Sequence, residues 1–175
     1  QGMDSMAITD HGALYGAVAF YQAAKSKGIK PIVGVETYVA RRSMTDKEGK
    51  ADAQPFHLIL LAQDLVGYQN LCRLVTDAHI DGYYYKPRID REHLARHSEG
   101  LIGLSSCLSG EIPRALEVED WELARNLAGE YGDIFGKDRF YLELQDHGLP
   151  DQRRLNEQLL RLAPDGKAVR ASDLV

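Results

Sequence analysis

Short apolar runs alternate with helix-periodic segments along almost the whole of this chain. Few folds accept that alternation, because strands joined through helices build a mostly parallel sheet with the helices laid on its face. Residues 5–10 (SMAITD), 31–40 (PIVGVETYVA), 56–62 (FHLILLA), 101–106 (LIGLSS) and 139–145 (RFYLELQ) read as strands. Two of these, 56–62 and 101–106, are almost continuously apolar, as strands buried on both faces are. Between the strands, residues 13–27 carry Leu14, Val18, Tyr21 and Ala24 at helical spacing, and Gly28 marks a stop. Asp64 is placed to cap a helix running to about His79. Residues 90–97 and 120–135 read as further helices, and residues 150–163 as a last one with Leu155, Leu159 and Leu162 on one face. Two segments interrupt the alternation. Residues 41–54 are charged, lack apolar periodicity and read as a surface insertion, while residues 81–89 (DGYYYKPRI) form an aromatic and basic loop. No strand precedes Ser5 and residues 164–175 are too short for another full unit, so the chain is expected to be cut at both ends.

A length of 175 residues suits one domain or a piece of one. The net charge of −5 argues against a generally basic nucleic-acid surface, although a bound cation supplies local positive charge where side chains do not. No stretch approaches the length of a membrane span and the first residues lack a signal-peptide pattern, which makes the cytoplasm the expected compartment. Cys72 and Cys107 are well separated and read as free thiols rather than a disulfide. The chain has no P-loop, no GxGxxG and no GxSxG elbow, so ATPase, dinucleotide-dependent and α/β-hydrolase readings have no support.

Four polar residues fall at or inside the apolar strand runs: His11 after ITD, Glu36 in GVETYVA, His57 in FHLILLA and Cys107 after GLSS. Burying such groups costs free energy unless each is paired or coordinated. Imidazole, carboxylate and thiolate together are a ligand set for zinc or another transition metal. A hydrogen-bonded core or rim position is the alternative for each residue taken singly. None of the four forms a close-spaced pair such as CxxC or HExxH, so a metal site requires the fold to gather successive strands at one mouth, as an α/β barrel does. His57 conflicts with a regular barrel, because it opens its strand and would lie at the far end from the mouth. His147, in LQDHGLP between a strand and a helix, falls near the expected mouth and is a further candidate. His79, His93 and His97 lie on or beside helices and read as solvated, and Cys72 reads as core. Tyr83, Tyr84, Tyr85, Lys86 and Arg88 offer rings and cations to a nucleic acid, with Lys86 and Arg88 as the phosphate contacts; a packed loop is the alternative.

At these residues a family resemblance enters. The segments AITDHGALYGAVAFYQAAKSKGIKPIVGVETYVA, GYYYKPRID, HSEGLIGLSSCLSGEIPRAL and YLELQDHGLPDQRRLNEQLL resemble the PHP (polymerase and histidinol phosphatase) domain at the start of bacterial DNA polymerase III alpha subunits. TDHG alone indicates the wider PHP superfamily; YYYKPRID and LQDHGLPDQRR resemble the polymerase branch. The resemblance covers about residues 3–163. It implies a distorted, seven-stranded, TIM-like β/α barrel holding up to three divalent ions, whether zinc, manganese, iron or magnesium. On the matching motifs, His11, Glu36, His57 and Cys107 fall at ligand positions. The family's HxH strand would lie before Gln1, and its last motif, Asp-x-His, has Asp173 in the aspartate position but Val175 where the histidine belongs. The chain is therefore expected to be a partial PHP domain within an incomplete barrel.

The resemblance implies a parent protein that is a DNA-directed DNA polymerase of bacterial replication. Its partners would be DNA, the remaining polymerase domains and replicase subunits such as the exonuclease and the sliding clamp. The domain's own chemistry would be metal-dependent 3′–5′ exonucleolytic hydrolysis, or it would be a structural remnant of that activity; the piece alone is expected to be inactive. A stand-alone phosphoesterase of the histidinol-phosphatase kind and a non-catalytic docking module are the alternatives.

Overall fold

The computed structural model describes residues 2–163 and 168–170. Strands β1 (Ser5–His11), β2 (Lys30–Val39), β3 (Phe56–Ala62), β5 (Leu101–Leu104), β6 (Phe140–Leu144) and β7 (Ala168–Arg170) lie side by side in that order, and the two-residue β4 (Arg88–Ile89) pairs with β2. Because β1 already occupies residues 30–36 of β2 and β3 lies on the other side, β4 continues the sheet beyond the end of β1. The β1–β2, β2–β4, β5–β6 and β6–β7 pairs are parallel, whereas β3 runs antiparallel to both β2 and β5. Among the described residues no pairing joins β7 to β1. Over the described residues the expected incomplete barrel is thus an open mixed sheet.

Among the described residues seven helices accompany the strands: α1 (Ala17–Ser26), α2 (Gly49–Asp52), α3 (Leu65–Ile80), α4 (Arg91–Arg96), α5 (Glu111–Glu117), α6 (Trp121–Phe135) and α7 (Pro150–Leu162). Aspartates start three of them. Asp64 accepts from the Gly67 amide, Asp90 from His93 and Asp120 from Leu123, at 2.8, 2.8 and 3.0 Å; each such cap contributes about 1 kcal/mol. The leucine stripe of α7 is buried as its spacing requires. Of the stripe read over residues 13–27, Ala24 is buried and Leu14 packs against the core, whereas Val18 and Tyr21 are exposed and Ala17 joins the packed face. The helix α5 has no counterpart in the periodicity reading. Its seven residues span only about two turns, too few for an apolar stripe to repeat.

Strand alternation divides the core between the two faces of the sheet. Val35, Val39, Leu58, Leu60, Leu101 and Leu142 face the helices in the larger cluster, with Leu71, Leu116, Tyr131 and Phe135 packed over them. Ile59, Leu61 and Leu104 line the opposite face together with Ala7, Ile32, Ile102 and Tyr141.

The charged segment 41–54 is held in place by buried and paired side chains. Met44 and Asp52 are buried, and Arg42 reaches Asp52 at 2.6 Å. Arg88, wholly buried, donates to the carbonyls of Met44, Asp46, Asp52 and Gly82 at 2.8–3.0 Å. A guanidinium can be buried only where its donors find acceptors, and this segment supplies three of the four. Arg88 is consequently unavailable to a phosphate, which corrects its reading as a nucleic-acid contact.

Candidate metal centre

The direction of β3 resolves the conflict posed by His57. Since β3 runs antiparallel, its first residues lie at the end of the sheet where β1, β2 and β5 finish. His11 is paired in register with Glu36, and His57 with Tyr38, two residues along β2 from Glu36. Alternation puts His11, Glu36 and His57 on the same face as Ala7, Ile32 and Ile59. Cys107 follows β5 by three residues and approaches from the turn leading to α5.

Local backbone features set this turn against β3. The His57 amide donates to the Ser109 carbonyl at 3.0 Å, and His57 bridges Gly110. A Cβ on Gly110 would stand 2.1 Å from the Ser105 carbonyl oxygen, so only glycine lets the turn close. On the other side Gly12, at φ 63°, carries the chain away from His11, and a Cβ there would meet Pro87 at 2.8 Å.

The four side chains meet in a continuous line. Glu36 Oε1 lies 2.7 Å from His57 Nδ1 and 3.1 Å from His11 Nδ1, and Cys107 Sγ lies 3.6 Å from the same His57 nitrogen. The Ser109 amide donates to the Cys107 sulfur at 3.4 Å. The hydrogen bond with Cys107, then that with Glu36, raises the His57 pKa to about 9 against the opposing effect of partial burial. Burial pushes the Cys107 thiol up, but His57 and the Ser109 amide outweigh it and leave the thiol below its ordinary value. Burial likewise works to raise Glu36, and the two histidines together bring it below its ordinary value. His57 thus sits between a carboxylate and a thiol, both of lowered pKa.

The line ends at solvent. His11 is 74% exposed against 15% for Glu36. Among the described residues no group of three His, Cys, Asp or Glu side chains is arranged to hold a metal ion. The donors contact one another instead, with both Glu36 and Cys107 engaging His57 Nδ1.

The other candidates are placed apart. His147 is exposed, and its ring and amide both engage Gln152 at the start of α7. Asp173 lies outside the described residues. Lys86 is exposed with its Nζ 5.4 Å from the centroid of the Tyr38 ring, whose edge meets His57 at 5.2 Å; it thus stands near the mouth. His79 is exposed as expected, but His93 is buried, in correction of its reading as solvated: α4 lays it against α3, with Nε2 3.1 Å from Asp77.

Glu143 was not singled out from the sequence. It sits in β6 on the same face as Tyr141, is buried, and lies close enough to Glu36 to feel its charge. Burial, and secondarily Glu36, hold its pKa above the ordinary value. The signal was the one that found Glu36: a lone carboxylate in an apolar strand, here FYLEL.

A fold of this kind occurs among known structures. A protein from Bifidobacterium adolescentis assigned as a metal-dependent phosphoesterase superposes with a TM-score of 0.53 at 14% identity, covering 97% of this chain and 76% of its own. At that identity the likeness concerns the fold alone. Residues 1–147 match the PHP domain, and the chain belongs to that family. It is 51% identical over 161 residues to the DNA polymerase III subunit alpha of Thermus aquaticus and 46% identical over 160 residues to that of Borreliella burgdorferi. Each alignment covers 91% of this chain but only 13% and 14% of those relatives. The resemblance read from TDHG and YYYKPRID to the polymerase branch of the family is thereby upheld.

Proposed function

We propose that this chain is the PHP domain of a bacterial DNA polymerase III alpha subunit and that its mouth binds divalent metal for hydrolysis of DNA phosphodiesters from the 3′ end. The observation that carries the reading is the convergence of His11, Glu36, His57 and Cys107 from β1, β2, β3 and the turn after β5 into one contact line. The donor set fits a zinc-class ion: imidazole and thiolate with a carboxylate, all three accessible at the mouth. Bound metal would polarise the phosphodiester and lower the pKa of an attacking water. The chain's own part is to hold and orient. Glu36 fixes both histidines, and the Ser109 amide and the imidazolium of His57 favour the thiolate of Cys107. Lys86 at the rim would meet the DNA backbone. Polymerisation would belong to the rest of the parent protein, which acts in the cytoplasm on DNA with its exonuclease and clamp partners. Among the described residues no helix is long and apolar enough to cross a membrane.

The test uses full-length protein freed of copurifying nucleases. Metal content and 3′–5′ degradation of a mispaired primer are measured for the wild type, Glu36→Ala and His57→Ala. The expected result is retained metal in the wild type and a loss of both metal and degradation, about tenfold to a hundredfold, in each variant. A wild type that holds no metal at this site would leave a docking module as the correct reading.

A further inference from the structure

Among the described residues, two buried side-chain oxygens at the mouth have no hydrogen-bond partner. Glu143 is only 6% exposed, and its Oε1 accepts from Gln145 Nε2 at 2.7 Å, yet its Oε2 has no hydrogen-bond partner. Ser106 is 1% exposed, and its Oγ is also without a partner. A buried carboxylate oxygen left bare loses its hydration without compensation, a cost that a bound water, a proton or a cation removes.

The surroundings place these atoms beside the metal-type donors. The Glu143 amide donates to Ser105 Oγ at 2.9 Å, which locks β6 to the turn that carries Cys107. Ser106, next in that turn, adopts φ 64°, a left-handed conformation that a non-glycine residue enters only when its neighbours hold it there. Alternation along FYLEL puts Glu143 on the face shared by Tyr141, Ile59 and Leu104, and Glu36 and His57 occupy that same face on β2 and β3. Polar side chains thus cap an apolar layer at one end of the sheet.

We propose that Glu143 is a further ligand of the cation held by Glu36, His57 and Cys107, binding through its bare Oε2, with Ser106 Oγ beside it. The inference rests on the metal-binding reading of the mouth. Glu143 then accounts for the side of the site formed by β6, a strand that contributes none of the four residues first identified.

The experiment titrates Zn2+ into metal-stripped full-length protein by calorimetry for the wild type, E36Q, E143Q and E143D. Co2+ serves as a second probe, because its thiolate charge-transfer band reports Cys107 in the coordination shell. E143Q keeps the size of the side chain and removes its charge. Its metal-free melting temperature is expected to equal or exceed that of the wild type, while its Zn2+ affinity falls at least about tenfold. E143D, whose carboxylate is drawn back by one methylene, is expected to weaken Zn2+ binding as well, and it decides the matter if E143Q does not fold. If the wild type and E36Q bind Zn2+ and E143Q binds as tightly as either, the role of Glu143 is overturned. If the wild type binds Zn2+, E36Q does not, and E143Q matches the wild type, Glu143 is again overturned while the metal reading stands. Absence of Zn2+ binding by the wild type overturns both.

Discussion

His57 and His93 depart from ordinary histidine behaviour in opposite directions, and partner groups rather than sequence context explain why. His57 lies between Glu36 and Cys107, which favour its charged form. His93 is enclosed by α3 and α4, and burial first, then His97 at a ring distance of 4.6 Å, lowers its pKa despite the carboxylate of Asp77. Arg96 lies 3.3 Å from its Nδ1, which leaves that nitrogen as an acceptor. In the unfolded chain His93 regains a pKa of about 6.5. Between that value and its lower folded pKa, the unfolded state binds more protons, so stability is full above about pH 6.5 and declines as pH falls through the window. The slope from one such group is at most about 1.4 kcal/mol per pH unit. Urea unfolding of the wild type and His93→Gln between about pH 7.5 and 5 should show the wild type losing more stability than the variant. Parallel curves would mean that His93 titrates as freely folded as unfolded. The sequence set His57 apart as a polar residue in an apolar strand, but nothing in the charged surroundings of His93, between Glu92 and Arg96, showed that it would be buried. Polar residues inside apolar runs were legible as exceptions, and four of them meet in the structure. Arg88 was legible as a cation but not as a buried one, because its acceptors are carbonyls of a segment some forty residues away.

At the scale of elements, the β3 strand shows where the pattern stops informing. An apolar run such as FHLILLA reads identically in either direction, so strand alternation with helices suggested a parallel neighbour. The connection held the missing sign. A parallel crossover needs a dozen or more residues, usually with a helix to bridge the sheet, and residues 41–54 carry no amphipathic helix, only the four-residue α2. A segment that cannot cross the sheet returns along it, and β3 pairs antiparallel with β2 through Val39↔Phe56. Arg88 keeps that return compact by binding three of its carbonyls. Arg88→Met removes those donors and leaves buried acceptors bare, at a cost of about 1–3 kcal/mol for an unsatisfied group and more for several. We expect a loss of at least about 3 kcal/mol in denaturant unfolding, with faster amide exchange across residues 41–54 than in the wild type. A loss below about 1 kcal/mol would show that the segment stands without its central cation.

At the scale of the whole molecule, the site and the stability of the sheet are one problem. The residues of the mouth come from strands distant in sequence, and the described sheet remains open between β1 and β7. Its continuity rests on edge pairings such as Leu142↔Ala168 and on side-chain contacts across the mouth. A cation bound at Glu36, His57 and Cys107 would join β2, β3 and the turn after β5, and it would bind the folded state alone because the unfolded chain scatters the same residues. Linkage then converts occupancy into stability: at a free concentration about a hundred times Kd, the gain is about 2.7 kcal/mol. For a domain of this size each kcal/mol moves Tm by about 2–4 °C, so saturating Zn2+ or Mn2+ should raise Tm by roughly 5–10 °C. Glu36→Gln should abolish most of that rise, and the shift should shrink progressively as pH falls below about 9, where His57 takes up a proton in the metal-free protein. Equal shifts in the wild type and Glu36→Gln would place the stabilising cation elsewhere on the molecule. A pH-independent shift would exclude the histidine and the thiol as its ligands.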